Sequence, residues 1–467
     1  MKHRNPRILL INPPMLIVNP GYILPGLMRR HHIKAINPGV LIIASYLYRN
    51  GIEVRIVDLS TLNSFNDTDR ELEKELTGFK PDIVGVSSTS AFDYLESLHI
   101  IKKTKEYDRA IISVIGGQQA GPLGEIVLID SKDVDIVATS EGEWVTLEIC
   151  RRFSRNLSYA GIPGTIVRTE NEQICRLPEE APKLPLDEIG MINLSLYPNF
   201  REFMPYIEQS RGCGGVCNYC LNRQMGHKKS RKKSRKLLEE EMGSIYDCYG
   251  KMKFMFALAA NFGYTAEEAR EFADVVGKYP VDWSTEFRVD LPWEEYIEYC
   301  HERGLVLCQI GLESTIPSVL KRMRKTPDPE YYLIKFRNII KKAESIPSLK
   351  LTVGMMAYIG MNSTDLLSEF NFLSRYAHIY NMVSYMSVYV PEASDLMRQT
   401  KLFSERYGCS LVKSDYTTKT HLYPVNISSE INYEESIHWC DIMTKYFNHH
   451  MRIEKLNRDN DLVGVHK

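Results

Sequence analysis

Three cysteines lie close together near the middle of the 467-residue chain. Cys213, Cys217 and Cys220 have the spacing C-x-x-x-C-x-x-C. Three thiolates in one short loop can hold three corners of an iron-sulfur cube and leave the fourth iron open to an outside ligand. The alternative is a structural zinc loop, for which the near candidate as fourth ligand is His227. The spacing therefore favours a reactive metal centre over a structural one.

The other seven cysteines lack any ligand-like spacing. In a long chain without an export signal, cysteines mark metal or catalytic sites more often than disulfides. We predict free thiols and no second cluster at Cys150, Cys175, Cys248, Cys300, Cys308, Cys409 and Cys440.

Composition and charge are those of a globular protein. Apolar residues make up 44% of the chain, and 58 basic residues balance 59 acidic ones, so neither nucleic acid nor an anionic membrane is expected as the main partner. The basic run at 227–236 is typical of a solvated loop before a helix rather than of an RNA-binding patch. The first apolar run is too short for a signal peptide and no stretch could span a bilayer, so we expect a cytoplasmic protein.

Strands and helices alternate through residues 1–155, which predicts an α/β, doubly wound parallel sheet. Candidate strands cover 7–14, 53–58, 82–87, 110–115 and 135–138, with helices at 37–48 and 94–107 between them. Ligands of such sheets lie beyond the carboxyl ends of the strands. Here those ends carry Ser87, Gly116, Gly117, Glu141 and Gly142.

The rest of the chain divides into a proline-punctuated connector at 156–202, a central domain at 203–400 and a small, mostly helical tail at 401–467. Candidate strands of the central domain cover 206–210, 253–258, 281–289, 305–312, 350–359 and 383–390. The cysteines follow the first of them, and catalytic groups of parallel barrels lie at strand carboxyl ends.

Strand alternation indicates which side chains of the central domain share a face. Glu286 and Arg288 share one face, as do Gln309, Gly311 and Glu313, and charges on buried strands point either into a polar lumen or into a buried ion pair. Tyr385, Ser387 and Tyr389 also share a face, which is either a substrate surface or the side of an ordinary half-buried strand.

The cysteine loop, with Ser-Arg-Gly before it and Tyr219 ahead of the last cysteine, resembles the signature of the radical S-adenosylmethionine (SAM) enzymes. The segments 283–288 and 310–314 resemble further motifs of that family. Residues 1–155 resemble the cobalamin-binding domain that precedes many radical SAM domains, with Gln118-Gln119 where a histidine is frequent in that branch. After the second barrel strand an aspartate pair is common in the family, whereas this chain has 257–260 as Ala-Leu-Ala-Ala, followed by Asn261.

The resemblance implies a Rossmann-like cobalamin-binding domain, a partial (β/α)6 radical SAM barrel and a small helical cap. It implies a 4Fe-4S cluster on Cys213, Cys217 and Cys220, SAM on the open iron, and cobalamin. Implied cofactor contacts are Tyr219, Glu286, Arg288 and Glu313 in the barrel and Ser87, Gly116, Gly117, Glu141 and Gly142 in the first domain.

The implied activity is reductive cleavage of SAM and transfer of a methyl group via cobalamin to an unactivated carbon of a small-molecule or peptide substrate. An electron donor such as flavodoxin or ferredoxin is the implied partner. The alternatives are a rearrangement, cyclisation or oxidation, a radical SAM enzyme that has lost cobalamin, and a non-catalytic cobalamin or redox sensor. A tRNA methylthiotransferase is disfavoured, because its first domain would need a cysteine triad and no cysteine precedes Cys150.

Overall fold

Two seven-stranded sheets, each built around parallel strands, organise the chain. The computed structural model describes residues 4–15, 35–169, 171–226, 229–250 and 252–449. The first sheet has the strand order β2-β1-β3-β4-β5-β6-β7, and the second has the order β14-β13-β12-β11-β10-β8-β9. A third, three-stranded antiparallel sheet lies near the carboxyl end.

The first sheet confirms the predicted doubly wound fold, since its first five strands are parallel. Its strands are β1 (Arg7–Asn12), β2 (Glu53–Asp58), β3 (Ile83–Ser87), β4 (Ile112–Gly116), β5 (Ile136–Ala138), β6 (Thr165–Arg168) and β7 (Ile174–Arg176). Its helices are α1 (Pro38–Arg49), α2 (Phe65–Phe79), α3 (Tyr94–Tyr107), α4 (Ala120–Leu123), α5 (Glu125–Asp130) and α6 (Gly142–Arg155).

Local sequence explains why this sheet is buried on both faces. Ile8 belongs to the core on one side of β1, whereas Leu9 and Ile11 belong to the core on the other side. A parallel sheet covered by helices on both faces needs such a continuous apolar run. Asn37 caps α1 by accepting a hydrogen bond from the Val40 amide, which fixes where the helix after β1 begins.

The first sheet extends beyond the predicted boundary at residue 155. β6 pairs antiparallel with β5, and β7 pairs antiparallel with β6. The start of the predicted connector therefore belongs to the first domain, where it covers the open edge of β5. The rest of the connector contains α7 (Leu186–Ile189) and two 3-10 turns.

The second sheet confirms the predicted partial (β/α)6 barrel, because six successive strands are parallel neighbours. They are β8 (Tyr206–Arg211), β10 (Phe254–Ala259), β11 (Asp282–Phe287), β12 (Leu305–Glu313), β13 (Lys350–Ala357) and β14 (Tyr380–Ser387), and the short β9 (Arg231–Lys232) adds an antiparallel edge. The helices are α8 (Arg235–Tyr249), α9 (Ala266–Val276), α10 (Ile297–His301), α11 (Pro317–Arg322), α12 (Pro329–Glu344) and α13 (Ser363–Ser374).

The carboxyl-terminal region contains strands as well as the predicted helices. Its elements are β15 (Tyr389–Pro391), α14 (Asp395–Tyr407), β16 (Ser410–Leu411), α15 (Asp415–Thr420), β17 (Leu422–Asn426) and α16 (Tyr433–His449). The strands make the third sheet, and α16 packs on β14. Nowhere in the described ranges is a helix both long and apolar enough to cross a bilayer.

The predicted strand at 383–390 is wrong in its extent, since β14 ends at Ser387, and the contacts of Tyr385 and Ser387 favour the alternative of an ordinary half-buried strand over a substrate surface. Tyr389 belongs to β15 in the third sheet. On β14, the Tyr385 hydroxyl meets the carboxyl of Glu369 in α13, and Ser387 Oγ lies 2.7 Å from Ser436 Oγ in α16. These side chains therefore point outward into the helix layer, because α13 and α16 supply their polar partners, and they do not line the lumen.

Candidate active site

The three cysteines follow β8, at the carboxyl end of the first barrel strand, as predicted. β8 pairs with β9, so the cysteine loop (residues 212–226) starts and returns beside the same strand. Gly212 opens the loop with a φ of 96°, where a Cβ would lie 2.0 Å from the carbonyl oxygen of Lys229. Only glycine fits this close approach.

Asn218 fastens the cysteine loop to three other parts of the chain, and it was not singled out from the sequence. Its side chain is fully buried. Oδ1 accepts a hydrogen bond from the Tyr358 hydroxyl at 2.7 Å, and Nδ2 donates to Arg322 O at 3.1 Å and to Gln399 Oε1 at 2.7 Å. The Leu396 amide donates to the Asn218 carbonyl at 2.8 Å. The loop is thereby tied to the residue that follows β13, to the end of α11 and to α14.

The three thiols share one neighbourhood. Burial raises the pKa of the Cys220 thiol, and Cys217 and Cys213 lie near enough to raise it further. The Gly215 amide donates to Cys213 Sγ at 3.3 Å, and the Tyr219 hydroxyl is hydrogen-bonded to Cys217. All ten cysteines are free thiols.

This arrangement fits an iron-sulfur cube. Across the described ranges, no three His, Cys, Asp or Glu side chains converge on a point where one ion would be held. Three cysteine ligands leave one iron of a 4Fe-4S cube open, whereas a structural zinc site needs four ligands, so the ligand number suits a cluster. His227, the fourth ligand in the zinc alternative, lies outside the described residues.

Arg288 connects the third barrel strand to the cysteines. Its Nε and Nη2 atoms donate to the Asp290 carboxylate at 2.9 and 2.7 Å, and Nη2 also donates to the Lys325 carbonyl at 2.5 Å. Nη1 lies 3.7 Å from Cys217 Sγ. The guanidinium therefore places a positive charge beside a sulfur that would carry negative charge as a cluster ligand. Arg288 thus forms the buried ion pair that was the alternative to a lumen contact. Its partner is Asp290, and not Glu286 or Glu313.

Glu286 faces the lumen, on the side of β11 opposite Trp283, which packs against the helix layer. Its side chain is exposed there, yet the surrounding protein raises the pKa of its carboxyl. A carboxyl group in this position can accept hydrogen bonds from a ligand that enters the barrel.

Glu313 ends β12 in a left-handed backbone conformation with a φ of 70°. Its carboxylate lies 3.1 Å from Lys325 Nζ, and both side chains are largely buried. A Cβ at Gly311 would lie 2.8 Å from Glu313 Oε1, so the glycine leaves room for the pair. Strained backbone of this kind clusters at functional sites. Lys325 was not singled out as a site residue from the sequence, because no local pattern indicates its contact with Glu313.

Asn261 is a further residue beside the cysteines. It follows β10, is 3% exposed, and donates from Nδ2 to Cys213 Sγ at 2.8 Å. The sequence marked this position only as a departure from a family pattern, with no indication of a contact to sulfur.

The predicted edge of the first sheet brings Ser87, Gly116 and Gly117 together. Ser87 pairs with Gly116 across β3 and β4, and Ser88 N donates to Gly116 O at 2.8 Å. Gly117 has a φ of 103°, and a Cβ there would lie 2.2 Å from Ser88 O. The turn after β4 therefore lies directly against the end of β3, and the two strand ends form one small-residue surface.

Glu141 and Gly142 have other roles than the predicted cofactor contact. The Glu141 carboxylate accepts from Arg231 of β9 and lies 3.7 Å from Arg211 of β8. A Cβ at Gly142 would lie 2.4 Å from Ile43 Cδ1 in α1. Both residues therefore take part in the domain junction, through an ion pair and through helix packing, and their cofactor contact stays a prediction.

The first-sheet edge faces the cysteine loop. Gln118 Nε2 donates to Asn222 Oδ1 at 3.3 Å, two residues after the third cysteine. Gln119 Nε2 donates to Thr420 O at 3.0 Å, in the carboxyl-terminal region. A cavity of about 420 Å³ lies nearby and is bordered by Gly121 of α4, Gly164 before β6 and Met225 of the loop. The two candidate cofactor sites are therefore neighbours.

The basic run beside the cysteines is paired with acidic residues. The pairs are Arg231 with Glu141, Lys232 with Glu271, Lys233 with Glu241, Arg235 with Glu239 and Lys236 with Glu240. His227 and Lys228 lie outside the described residues. Such local neutralisation is typical of a folded surface rather than of a patch reserved for phosphates.

Comparisons with known proteins agree with this geometry. A family model described as the B12 binding domain matches residues 32–148, which include all the candidate residues of the first domain. The solved structure of OxsB, a cobalamin-dependent SAM radical enzyme with aqua-cobalamin and SAM bound, superposes with a TM-score of 0.72 at 18% identity. The match covers 93% of this chain and 65% of OxsB. The chain has the fold of the cobalamin-dependent radical SAM enzymes.

Two further similar proteins, one found by structure and one by sequence, are named methyltransferases. The radical SAM methyltransferase TsrM from Kitasatospora setae, solved with cobalamin and a [4Fe-4S] cluster, has a TM-score of 0.69 at 14% identity, with 88% of this chain and 81% of TsrM covered. An uncharacterized methyltransferase of Pyrococcus horikoshii is 25% identical over 300 residues, or 62% of this chain and 64% of the relative. The chain thus spans less than two thirds of that relative and of OxsB.

Proposed function

We propose that this chain is a radical SAM enzyme that reductively cleaves SAM and transfers a methyl group via cobalamin to an unactivated carbon of a small-molecule or peptide substrate. The observation that carries the proposal is the contact between the two candidate cofactor sites, in which Gln118 at the first-sheet edge donates to Asn222 just after the third cysteine. A radical made at one site can then act on a substrate held against the other.

The residues of the chain divide into two sets. Cys213, Cys217 and Cys220 would hold the cluster, while Ser87, Gly116 and Gly117 offer the surface for cobalamin. When bound, the reduced cluster supplies the electron that breaks a carbon–sulfur bond of SAM, and cobalamin supplies a carrier for a methyl group.

The barrel positions the substrate and SAM. Arg288 and Lys325 place positive charge beside the cysteine sulfurs, while Glu286 presents a carboxyl to the lumen. The ordered pairs around the loop hold Arg288 and Lys325 in place. The expected partner is an electron donor such as flavodoxin or ferredoxin, and the expected compartment is the cytoplasm.

Anaerobic turnover with SAM labelled in the adenosyl and methyl groups tests the proposal. Methylation gives both labelled 5'-deoxyadenosine and S-adenosylhomocysteine. Label in 5'-deoxyadenosine alone indicates a rearrangement, cyclisation or oxidation, and absence of both supports a sensor.

Two measurements separate the remaining alternatives. Cys217→Ala should lose iron, sulfide and 5'-deoxyadenosine formation, whereas Cys175→Ala on β7 should keep them, because Cys175 lies outside the cysteine loop. Reconstitution with hydroxocobalamin should leave corrinoid absorbance on the protein after gel filtration. Failure to retain it would remove the methyl-transfer route but not the radical step.

A further inference from the structure

One side-chain amide reaches a cysteine sulfur of the proposed cluster. Asn261 Nδ2 lies 2.8 Å from Cys213 Sγ and 3.2 Å from the hydroxyl oxygen of Tyr264. The same hydroxyl accepts from the Gly214 amide at 3.0 Å. The amide is therefore held between the loop that carries Cys213 and the segment after β10.

The burial of Asn261 makes this hydrogen bond strong. Its side chain is 3% exposed, so little water competes for Nδ2. The Gly215 amide donates to the same sulfur at 3.3 Å, and Arg288 Nη1 approaches the sulfur of Cys217 at 3.7 Å. Two of the three cysteines thus receive side-chain donors from the ends of successive barrel strands.

A donor to a ligand sulfur has a definite electronic effect. The sulfurs carry more negative charge after a cluster gains one electron, so an N–H group aimed at them stabilises the reduced form more than the oxidised form. The result is a higher reduction potential. A carboxylate in the same place would have the opposite effect, because its charge repels the added electron.

We propose, building on the proposed function, that Asn261 is a positioning residue that raises the reduction potential of the cluster through its hydrogen bond to Cys213. The added electron comes from the external donor, and no bond is made or broken at Asn261. The residue makes the cluster easier to reduce, so it sets which donors can drive the reaction.

The test is a redox titration of the reconstituted full-length protein, followed by electron paramagnetic resonance without SAM. Asn261→Asp keeps the shape of the side chain but replaces the donor with a carboxylate, and Asn261→Leu removes the donor without adding charge. We expect a midpoint potential below that of the wild type in both, and lowest in Asn261→Asp. Iron and sulfide per chain should remain as in the wild type.

A matched control is available in the same sheet. Asn381 lies near the start of β14, at the opposite end of the barrel strands, and donates to Thr352 Oγ1. Asn381→Asp makes the same chemical change and should leave the midpoint potential unmoved.

The outcomes separate the two proposals. Wild-type protein that binds no iron and sulfide overturns the proposed function. Wild-type protein with a cluster, and Asn261 variants with unchanged potentials, overturn only the role of Asn261. Loss of the cluster from both variants would also overturn it, since the residue would then be needed for assembly rather than for tuning.

Discussion

Gly117 combines two constraints that no other residue type satisfies. Its φ of 103° is costly for a side chain, and a Cβ would overlap the carbonyl oxygen of Ser88 at 2.2 Å. Gly161 has a similar φ of 86° but no atom within 4 Å of its Cβ position. Substitutions at the two glycines therefore allow the cost of backbone strain to be measured separately from the cost of steric overlap.

We expect Gly161→Ala to lower the free energy of unfolding by about 1–2 kcal/mol, the cost of a left-handed conformation. Gly117→Ala should cost roughly 2–5 kcal/mol, because overpacking is added to the same strain. Urea denaturation of the two variants measures the difference. Equal losses would contradict the close approach of β3 and β4 at the candidate cobalamin edge.

Glu369 is a fully buried carboxyl group outside the barrel lumen. The Thr315 amide donates to its Oε1 atom at 3.0 Å, and the hydroxyl groups of Ser314 and Tyr385 lie against its two oxygens. Burial raises the pKa of this carboxyl from 4.5 to about 8, although the donors act against the shift. The folded protein therefore holds a proton here at neutral pH.

Stability should fall as the pH rises from about 5 to about 8. In that range the unfolded chain has released the Glu369 proton while the folded protein still holds it, so the slope is at most about 1.4 kcal/mol per pH unit. Glu369→Gln should remove this contribution, as seen in denaturation midpoints across the range. Glu405→Gln, on the exposed surface of α14, should keep the wild-type slope.

At the scale of elements, β9 and α8 are joined by an ion pair that is almost wholly buried. Lys233 Nζ lies 2.6 Å from Glu241 Oε2, with side-chain exposures of 2% and 1%. Glu241 Oε1 also accepts from the Ile192 amide at 3.0 Å. The neighbouring pair of Lys236 and Glu240 is exposed, at 86% and 53%.

Glu241→Ala should lower the free energy of unfolding by about 3–5 kcal/mol, because it leaves the charge of Lys233 buried without a partner. Glu240→Ala, one residue earlier in the same helix, should be nearly neutral, since water replaces the lost partner. Thermal unfolding of both variants distinguishes them. Similar losses would mean that the buried pair does not anchor the strand beside the cysteines.

Sequence reasoning identified most elements because long apolar runs and caps are local signals. The first parallel sheet and the candidate strands of the second followed from such signals, whereas the barrel was implied by the resemblance that the cysteine spacing carries. The orientation of β14 could not be predicted from the sequence. Strand alternation places Tyr385 and Ser387 on one face but does not show which face packs against a helix. That depends on α16, which lies more than 40 residues later in the chain. The contacts of Asn218, Asn261 and Lys325 are likewise between distant segments, so no local pattern marks them.

At the scale of the whole molecule, Arg211 joins the two parallel sheets. It lies at the end of β8, and its Nη1 and Nε atoms lie 2.7 Å from Glu143 of α6 and from Glu208 of its own strand. Burial lowers the pKa of this guanidinium, but the carboxylates of Glu143 and Glu208 outweigh it, so the pKa is raised. The strand that carries the cysteines is therefore fixed to the first domain by charge.

Arg211→Ala should lower the free energy of unfolding by about 3–5 kcal/mol, because carboxylates remain buried without their partner. Amide hydrogen exchange should also speed up at the start of α6 and the end of β8. Arg152→Ala serves as the control, since its partner Glu148 lies on the same helix, α6, and its loss leaves the junction intact. Unchanged exchange at the junction in Arg211→Ala would show that the sheets are held by apolar packing alone.

The hydrogen bonds of Asn218 also bear on how the protein is made. Its partner Gln399 lies 181 residues later in the chain. At roughly 5–20 residues per second, a ribosome needs about 10–40 s to synthesise that interval. Throughout this time the cysteines have left the ribosome without the contacts that shape their loop. On the proposed function, iron and sulfide would therefore be loaded at the last stage of biosynthesis, after α14 has been translated and has docked.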